Sequence, residues 1–124
     1  EAYDHGIRNF ISGFALGIDL MAAQLVQSLK CDLPGISLTA AIPFAGQAER
    51  YNIYDKRVYR RLLELADKVI VLSDCYYPRC FLDRDEFMVE NASIMMAVRK
   101  VEHTTPLKRH EREASRLLMC IDFK

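Results

Sequence analysis

The residues most able to do chemistry in this chain follow a short apolar segment that ends at Ser12. Gly13 and Gly17 form a turn directly after it, and Asp19 lies at the start of the helix behind the turn. Glycine can adopt a positive φ or let the backbone approach a ligand closely, and a helix start offers unpaired N–H groups to an anion. The pattern is neither a dinucleotide fingerprint nor a P-loop. It leaves two interpretations open, an anion-binding turn and a purely structural strand-to-helix turn.

The loop after the next predicted strand carries a second set of candidate residues. It contains an amide, a guanidinium and a phenol behind a proline and an aromatic ring: Pro43, Phe44, Gln47, Arg50 and Tyr51. Open α/β sheets bind ligands at the carboxyl ends of their strands, and these groups suit a polar or phosphorylated ligand. A solvated loop is the alternative interpretation.

A third set lies at the end of the third predicted strand, residues 68–73. Ser73 ends this strand, and the loop behind it contains Tyr76 and Tyr77. Tyrosine rings in such a loop could stack on a nucleotide base. They could equally cover the end of the sheet, so both interpretations stay open.

A fourth set lies on the helix that we predict to run from Asp83 to about Arg99. Asp83 is expected to cap it, which places Arg84 in the first turn, where a cation opposes the helix dipole. A bound anion would explain such an arginine. Asn91 is interpreted either as a ligand contact or as a satisfied core amide. An apolar stripe on the same helix is most simply core: Met88, Ala92, Met95 and Met96.

Strands and helices alternate along the chain, which predicts an α/β fold with a mostly parallel sheet covered on both faces. The predicted strands are residues 9–12, 36–42 and 68–73, and the predicted helices begin at residues 18, 54 and 83. Residues 107–118 are predicted to form an amphipathic helix and residues 119–123 a last short strand. Residues 1–5 are interpreted as the end of a helix that Gly6 stops.

Composition indicates one ordinary globular domain that covers residues 1–124. Hydrophobic residues make up 51% of the chain and charged residues 27%, which is typical of a domain with a core. Lys plus Arg and Asp plus Glu both number 17, so the net charge is zero. Because nucleic-acid binders usually carry a basic excess, a small ligand is favoured over a nucleic acid as the partner.

The second predicted helix, residues 54–66, nevertheless has a basic face. Its cations are Lys56, Arg57, Arg60 and Arg61. Since acidic residues are interleaved with them, a solvated surface is favoured over a nucleic-acid patch.

The remaining features concern the cellular compartment. No apolar run has the length of a membrane span, and no signal peptide is recognised. The four cysteines lack a metal or redox spacing. We therefore expect a cytoplasmic protein with reduced thiols and no membrane partner.

Four blocks of sequence resemble the SLOG superfamily, which is named after the DprA/Smf DNA-processing proteins and the LOG phosphoribohydrolases. The blocks are residues 11–23, 41–51, 65–73 and 84–93. The first contains Ser-Gly-x-Ala-x-Gly-Ile-Asp, with Ala15 between the two glycines, and is similar to the DprA/Smf turn. Over about residues 6–98 the chain resembles the bacterial YpsA-like family. This resemblance implies a Rossmann-like three-layer sandwich and a nucleotide-like ligand.

From the residues and the resemblance together, we expect a ligand site without catalytic or metal-binding residues. In LOG-type relatives an arginine and the methionine four positions later lie beside the nucleotide, and Arg84 and Met88 have that spacing. The expected ligand-binding residues are Ser12, Gly13, Ala15, Gly17, Asp19, Pro43, Phe44, Gln47, Arg50, Tyr51, Ser73, Arg84, Met88 and Asn91.

The chain departs from the family pattern near both ends. The family's first strand, whose Gly-His-Arg turn helps to line the ligand site, is missing, so we expect either a fragment or a sheet that closes in another way. Residues 98–105 lack the glycine-glycine-threonine turn that cradles phosphate. Glu111 and Glu113 lie outside the motif that holds the catalytic glutamate of LOG enzymes.

We therefore predict a nucleotide or nucleotide-derivative binding module with a sensor or regulatory role and no certain cofactor. The alternatives are a DprA-like single-stranded DNA-binding protein of DNA processing and a LOG-like nucleoside-monophosphate phosphoribohydrolase. Hydrolysis needs a carboxylate beside the ribose, and no glutamate occurs in that context, which favours binding alone. An incomplete sheet edge also suggests a homodimer.

Overall fold

A computed structural model of the chain describes Asp4, residues 6–96 and residues 119–123. The predicted helix over residues 107–118, and all of the predicted helix end over residues 1–5 except Asp4, lie outside the described residues. Among the described residues, no helix has the length and apolar character that crossing a bilayer requires.

The described chain alternates strands and helices around one sheet. The elements are β1 (Asn9–Ser12), α1 (Ile18–Leu29), β2 (Ser37–Ile42), α2 (Ile53–Leu65), β3 (Lys68–Val71), α3 (Cys80–Glu90), β4 (Ala92–Met96) and β5 (Met119–Phe123). The strand order is β3-β2-β1-β5-β4. β1, β2 and β3 are mutually parallel, whereas β5 runs antiparallel to both β1 and β4. The predicted α/β class, with a parallel three-strand sheet and helices on both faces, is confirmed.

Helices α1 and α2 cover one face of the sheet. The buried positions of α1 recur at helical spacing, at Leu20, Ala23 and Val26, and pack in one cluster with Phe10 and Leu38 from the strands. α2 begins at a true cap, because the side chain of its N-cap asparagine accepts a hydrogen bond of 2.8 Å from the backbone N–H three residues later. Apolar burial thus fixes both helices against the strands that precede them.

Helix α3 covers the opposite face. Its Met88 is 1% exposed and packs with Ile11 and Ala41, which alternate in their strands with the residues of the other cluster. The sheet is therefore buried on both faces over β1 and β2, as the near-continuous apolar sequence of a parallel strand requires.

Strand β5 occupies the position beside β1. It pairs with β1 through the register Ile11↔Cys120 and with β4 through Met95↔Cys120. The predicted last strand at residues 119–123 is thus confirmed, and in the described sheet it lies antiparallel beside β1.

The prediction of one helix over residues 83–99 is wrong at both ends. α3 begins at Cys80 and ends at Glu90, and residues 92–96 form β4. Asn91 ends the helix: its backbone N–H and its side-chain amide both donate to the carbonyl of Phe87, at 3.2 and 2.8 Å. The prediction is wrong because the spacing of the methionines is compatible with a helix, whereas this segment forms a strand by pairing with β5, which is remote in sequence.

The predicted cap at Asp83 is also wrong. Asp83 lies inside α3, whose N-cap is Arg79, without a capping side-chain bond. The carboxylate of Asp83 instead accepts hydrogen bonds from the hydroxyl of Tyr77 at 2.6 Å and from Nε of Arg79 at 3.3 Å. It thereby holds the loop before the helix.

Candidate functional site

The carboxyl ends of β1, β2 and β3 lie at one edge of the sheet because these strands are parallel. The loops that leave them are bonded to one another. Gln47 donates from Nε2 to the carbonyl of Gly13 at 3.1 Å, and the N–H of Ala45 donates to the carbonyl of Ser73 at 3.1 Å. Three segments that are remote in sequence therefore form one surface, where open α/β sheets place their ligands.

The carbonyl of Gly13 is the centre of a buried hydrogen-bond network. It accepts from Nη1 of Arg84 at 3.1 Å as well as from Gln47. The side-chain oxygen of Gln47 accepts from the hydroxyl of Tyr59 at 3.1 Å. Burial raises the pKa of Tyr59, which keeps its hydroxyl protonated as a donor. These buried hydrogen bonds hold the glycine turn in place through the carbonyl of Gly13.

Arg84 has a structural partner where the sequence suggested a bound anion. Since α3 begins at Cys80, Arg84 lies beyond the first turn, and the premise that its charge opposes the helix start is wrong. Its side chain is 5% exposed, and its Nε donates to Asp85 at 2.8 Å. A Cβ on Gly13 would lie 2.6 Å from Nη1 of Arg84. The missing side chain at Gly13 is therefore what admits the guanidinium.

The turn between β1 and α1 has a well-defined and strained backbone. Phe14 has a φ of 57°, which is unusual for a bulky residue. It is fully buried and stacks edge-to-face on Tyr59, with ring centroids 5.9 Å apart. The hydroxyl of Ser12 accepts from the N–H of Phe14 at 3.2 Å and donates to the carbonyl of Asp19 at 3.1 Å. Strain of this kind persists where the surroundings impose it, often at a binding site.

Gly17 immediately precedes α1 on the open side of the turn. Its φ is 98°, and a Cβ added there would meet no atom within 4 Å. No side chain caps the helix at this position. A helix start without a side-chain cap therefore adjoins the open space beside Gly17. Within its first turn, the N–H of Leu20 already donates to the carbonyl of Ala15 at 3.2 Å.

Asp19 places a buried carboxyl group beneath the same turn. It is 4% exposed, and its Oδ2 accepts from the N–H of Ala15 at 3.4 Å. Its Oδ1 is buried without a hydrogen-bond partner among the described residues. Burial raises the pKa of Asp19 to about 7, against the opposing attraction of Arg84. The group thus exchanges its proton near neutral pH.

A cleft of about 520 Å³ opens beside this network. Its lining residues are Phe44, Gly46, Gln47, Glu49, Arg50, Tyr76 and Phe81. Phe44 meets Tyr76 and Phe81 edge-to-face, with ring centroids 5.6 and 6.1 Å apart. The guanidinium of Arg84 lies behind the Phe81 ring, 5.6 Å from its centroid. Aromatic rings and charged groups therefore face the same space.

The structure sorts the predicted site residues into three groups. Phe44, Gln47 and Arg50 line the cleft. The second group lies in the glycine turn or is hydrogen-bonded to the turn or to a neighbouring loop: Ser12, Gly13, Ala15, Gly17, Asp19, Tyr51, Ser73 and Arg84. Pro43 and Met88 are fully buried, and Asn91 ends α3, bonded to Phe87.

Sequence reasoning left several cleft residues out of the predicted site. These are Gly46, Glu49, Tyr76 and Phe81. For Tyr76 the sequence leaves two interpretations open, stacking on a nucleotide base and covering the end of the sheet. An aromatic residue in each of two neighbouring loops at the carboxyl edge is the available signal. Phe81, however, lies in the first turn of α3, which begins three residues before the predicted start at Asp83.

A parallel sheet with helices on both faces and a polar, aromatic cleft at its carboxyl edge defines a Rossmann-like domain. The model of the YpsA family, described as the YspA SLOG family, matches residues 1–117. The chain belongs to this family of SLOG proteins.

Curated proteins of Bacillus and Lysinibacillus are similar to this chain over most of its length. A UPF0398 protein of Bacillus pumilus is 32% identical over 95 residues, which cover 75% of this chain and 50% of the relative. The SPbeta prophage-derived protein YoqJ of Bacillus subtilis is 30% identical over 101 residues, which cover 72% of this chain and 59% of YoqJ. A UPF0398 protein of Lysinibacillus sphaericus is 23% identical over 97% of this chain. The chain thus spans between half and two thirds of the length of the first two relatives.

Proposed function

We propose that this chain is a nucleotide or nucleotide-derivative binding module with a sensing or regulatory role. The observation that carries the proposal is the cleft, which combines aromatic rings with the exposed cation of Arg50. Aromatic faces bind bases by stacking, and guanidinium groups and helix starts bind phosphate. Its volume of about 520 Å³ lies within the range of about 300–1,000 Å³ typical of small-molecule sites.

The cleft offers a distinct partner for each part of such a ligand. Tyr76 is 59% exposed and presents its ring for a base, together with Phe81 at 37%. The described ion pairs do not include Arg50, so its charge is available to a phosphate. Glu49 is exposed in the same cleft, where its carboxylate can accept hydrogen bonds from ribose hydroxyls or from a base amine.

The proposal is tested by thermal-shift and calorimetric titration of the protein with nucleoside monophosphates, nucleotide sugars and dinucleotides. A ligand at about 100 times its dissociation constant stabilises a protein by about 2.7 kcal/mol, which moves the midpoint by several degrees. A flat response across the panel would remove the proposal.

Gly17→Val is expected to weaken the affinity for a nucleotide found in this panel by at least about tenfold. The new side chain would stand in the open space through which an anion reaches the first N–H groups of α1. The positive φ also costs about 1–3 kcal/mol of stability, so binding is measured by calorimetry at a temperature where the variant is folded.

Gly35→Val is the matched control for this variant. Gly35 has a similar φ of 83° in the turn before β2, and its nearest neighbour is Cδ of Arg8, 3.8 Å from an added Cβ. It should lose comparable stability and keep its affinity. Unchanged affinity in folded Gly17→Val would show that the helix start does not contact the ligand.

A further inference from the structure

The cleft continues along the surface of α2. A smaller pocket of about 240 Å³ shares Gly46 and Glu49 with it, and also reaches Lys56 and Arg60. The last two residues in turn line a groove of about 470 Å³ together with Ile53 and Arg57. We call this surface, lined by Ile53, Lys56, Arg57 and Arg60, the α2 groove. Because each shares lining residues with the next, the cleft, the pocket and the groove are neighbours along this surface.

None of the ion pairs among the described residues involves a cation of the α2 groove. One described ion pair lies on α2, between Arg61 and Glu64, and neither of these residues lines the groove. Lys56 and Arg60 are spaced i,i+4 and therefore repel each other across one helix face. In a chain with zero net charge, this concentration of unpaired cations is a local excess. A polyanion in the groove would turn that repulsion into attraction.

We infer that the α2 groove binds the distal phosphates of a nucleoside polyphosphate whose base and ribose occupy the cleft, an inference that rests on the proposed function. The aromatic rings line the cleft at one end of this surface and the cations line the groove at the other. Glu49 lines both the cleft and the pocket between them. A carboxylate at this junction suits ribose hydroxyls, which donate hydrogen bonds to it. Because it repels phosphates, the places for them are Arg50 on the cleft side and Lys56 and Arg60 beyond it.

The extent of the groove favours a short phosphate chain over a nucleic-acid strand. From Lys56 to Arg60 the helix rises by about 6 Å, which suits consecutive phosphates. Surfaces for single-stranded nucleic acid alternate cations with aromatic rings along the strand, so that successive bases stack. The α2 groove has no aromatic residue in its described lining.

The experiment compares adenosine and guanosine monophosphates, diphosphates and triphosphates by calorimetric titration with a chelator present. The triphosphate of the preferred nucleoside should bind at least about tenfold more tightly than its monophosphate, with a steeper loss of affinity at high salt. Lys56→Gln and Arg60→Gln should each remove most of that gain and leave the affinity for the monophosphate within about twofold.

Arg61→Gln is the matched control, because it removes the same charge from the same helix outside the groove. Its side chain is 71% exposed and its Nη1 lies 4.0 Å from Glu64, so the triphosphate gain should persist. Equal affinity for monophosphate and triphosphate would overturn this inference and leave the proposed function intact. Equal losses in Arg61→Gln and Arg60→Gln, or a short oligothymidylate that outcompetes the triphosphate, would also overturn it. Binding of no nucleotide at all would remove both proposals.

Discussion

Gly13→Ala should destabilise the domain by about 3 kcal/mol, although alanine is normally a mild replacement for glycine. The added Cβ would lie 2.6 Å from Nη1, 2.8 Å from Cζ and 3.0 Å from Cδ of Arg84. Arg84 cannot retreat without losing its bond to the Gly13 carbonyl, and it is almost fully buried. Overpacking costs about 1–3 kcal/mol, and a lost hydrogen bond to a charged group about 1.5–3 kcal/mol.

Urea unfolding of Gly13→Ala, Arg84→Ala and the double variant measures this steric coupling. Because Arg84→Ala removes the clashing side chain, Gly13→Ala should cost less than about 1 kcal/mol in that background. Gly46→Ala is the control, since its added Cβ meets the exposed carboxylate of Glu49 at 3.0 Å, which can swing away. Strictly additive losses from Gly13→Ala and Arg84→Ala would contradict the contact.

Asp19 should make the domain less stable as the pH rises from about 4 to about 7. In the unfolded chain this carboxyl loses its proton near its ordinary value of 3.8, whereas burial in the folded state raises its pKa to about 7. Between these values the folded state holds a proton that the unfolded state has released, so stability falls with rising pH. The loss is fully developed above the folded pKa and amounts to about 4 kcal/mol.

Asp19→Asn tests this assignment because asparagine is neutral at every pH and keeps an oxygen for the N–H of Ala15. At a pH above the pKa of Asp19 in the folded protein, the variant should be more stable than the parent protein by about 2–3 kcal/mol. At the acidic end it should be equal or slightly less stable, because its amide has no described partner for the position of Oδ1. The measurement is urea unfolding across this pH range.

Asp74→Asn serves as the control for loss of one negative charge, because Asp74 is exposed in the loop after β3. It should keep the pH slope of the parent protein. If the stability of Asp19→Asn changed with pH as steeply as that of the parent protein, other groups would cause the pH dependence.

The order of the elements up to β3 follows from sequence pattern alone. α1 and α2 show apolar residues at helical spacing, and β2 is a near-continuous apolar run, as burial on both faces requires. The errors begin at residues 83–99, where local spacing of methionines competes with a strand pairing. Residues 92–96 become β4 because β5 pairs with them, and no local pattern reveals a partner that far along the chain.

The candidate site shows the same limit. Residue types and the position after a strand singled out Gly13 and Gln47, and a helix-start argument that the structure contradicts singled out Arg84. These three residues meet at one point. Their contacts join residues 34 and 71 positions apart, and only the folded chain shows that the polar groups of Gln47 and Arg84 are bonded to the turn. Whether Gln47 and Arg84 also contact a ligand stays a prediction. The cleft itself depends on rings from three loops or helix starts, which spacing alone does not bring together.

The most direct test of a nucleotide site in this cleft is a titration followed by backbone amide NMR, with the nucleotide that gives the largest thermal shift. We expect saturable shifts at three places: the start of α1 next to Gly17, the loop from Gly46 to Arg50, and Tyr76 with its neighbours. Saturable shifts confined to other surfaces, or no shifts at concentrations that stabilise the protein, would contradict the account.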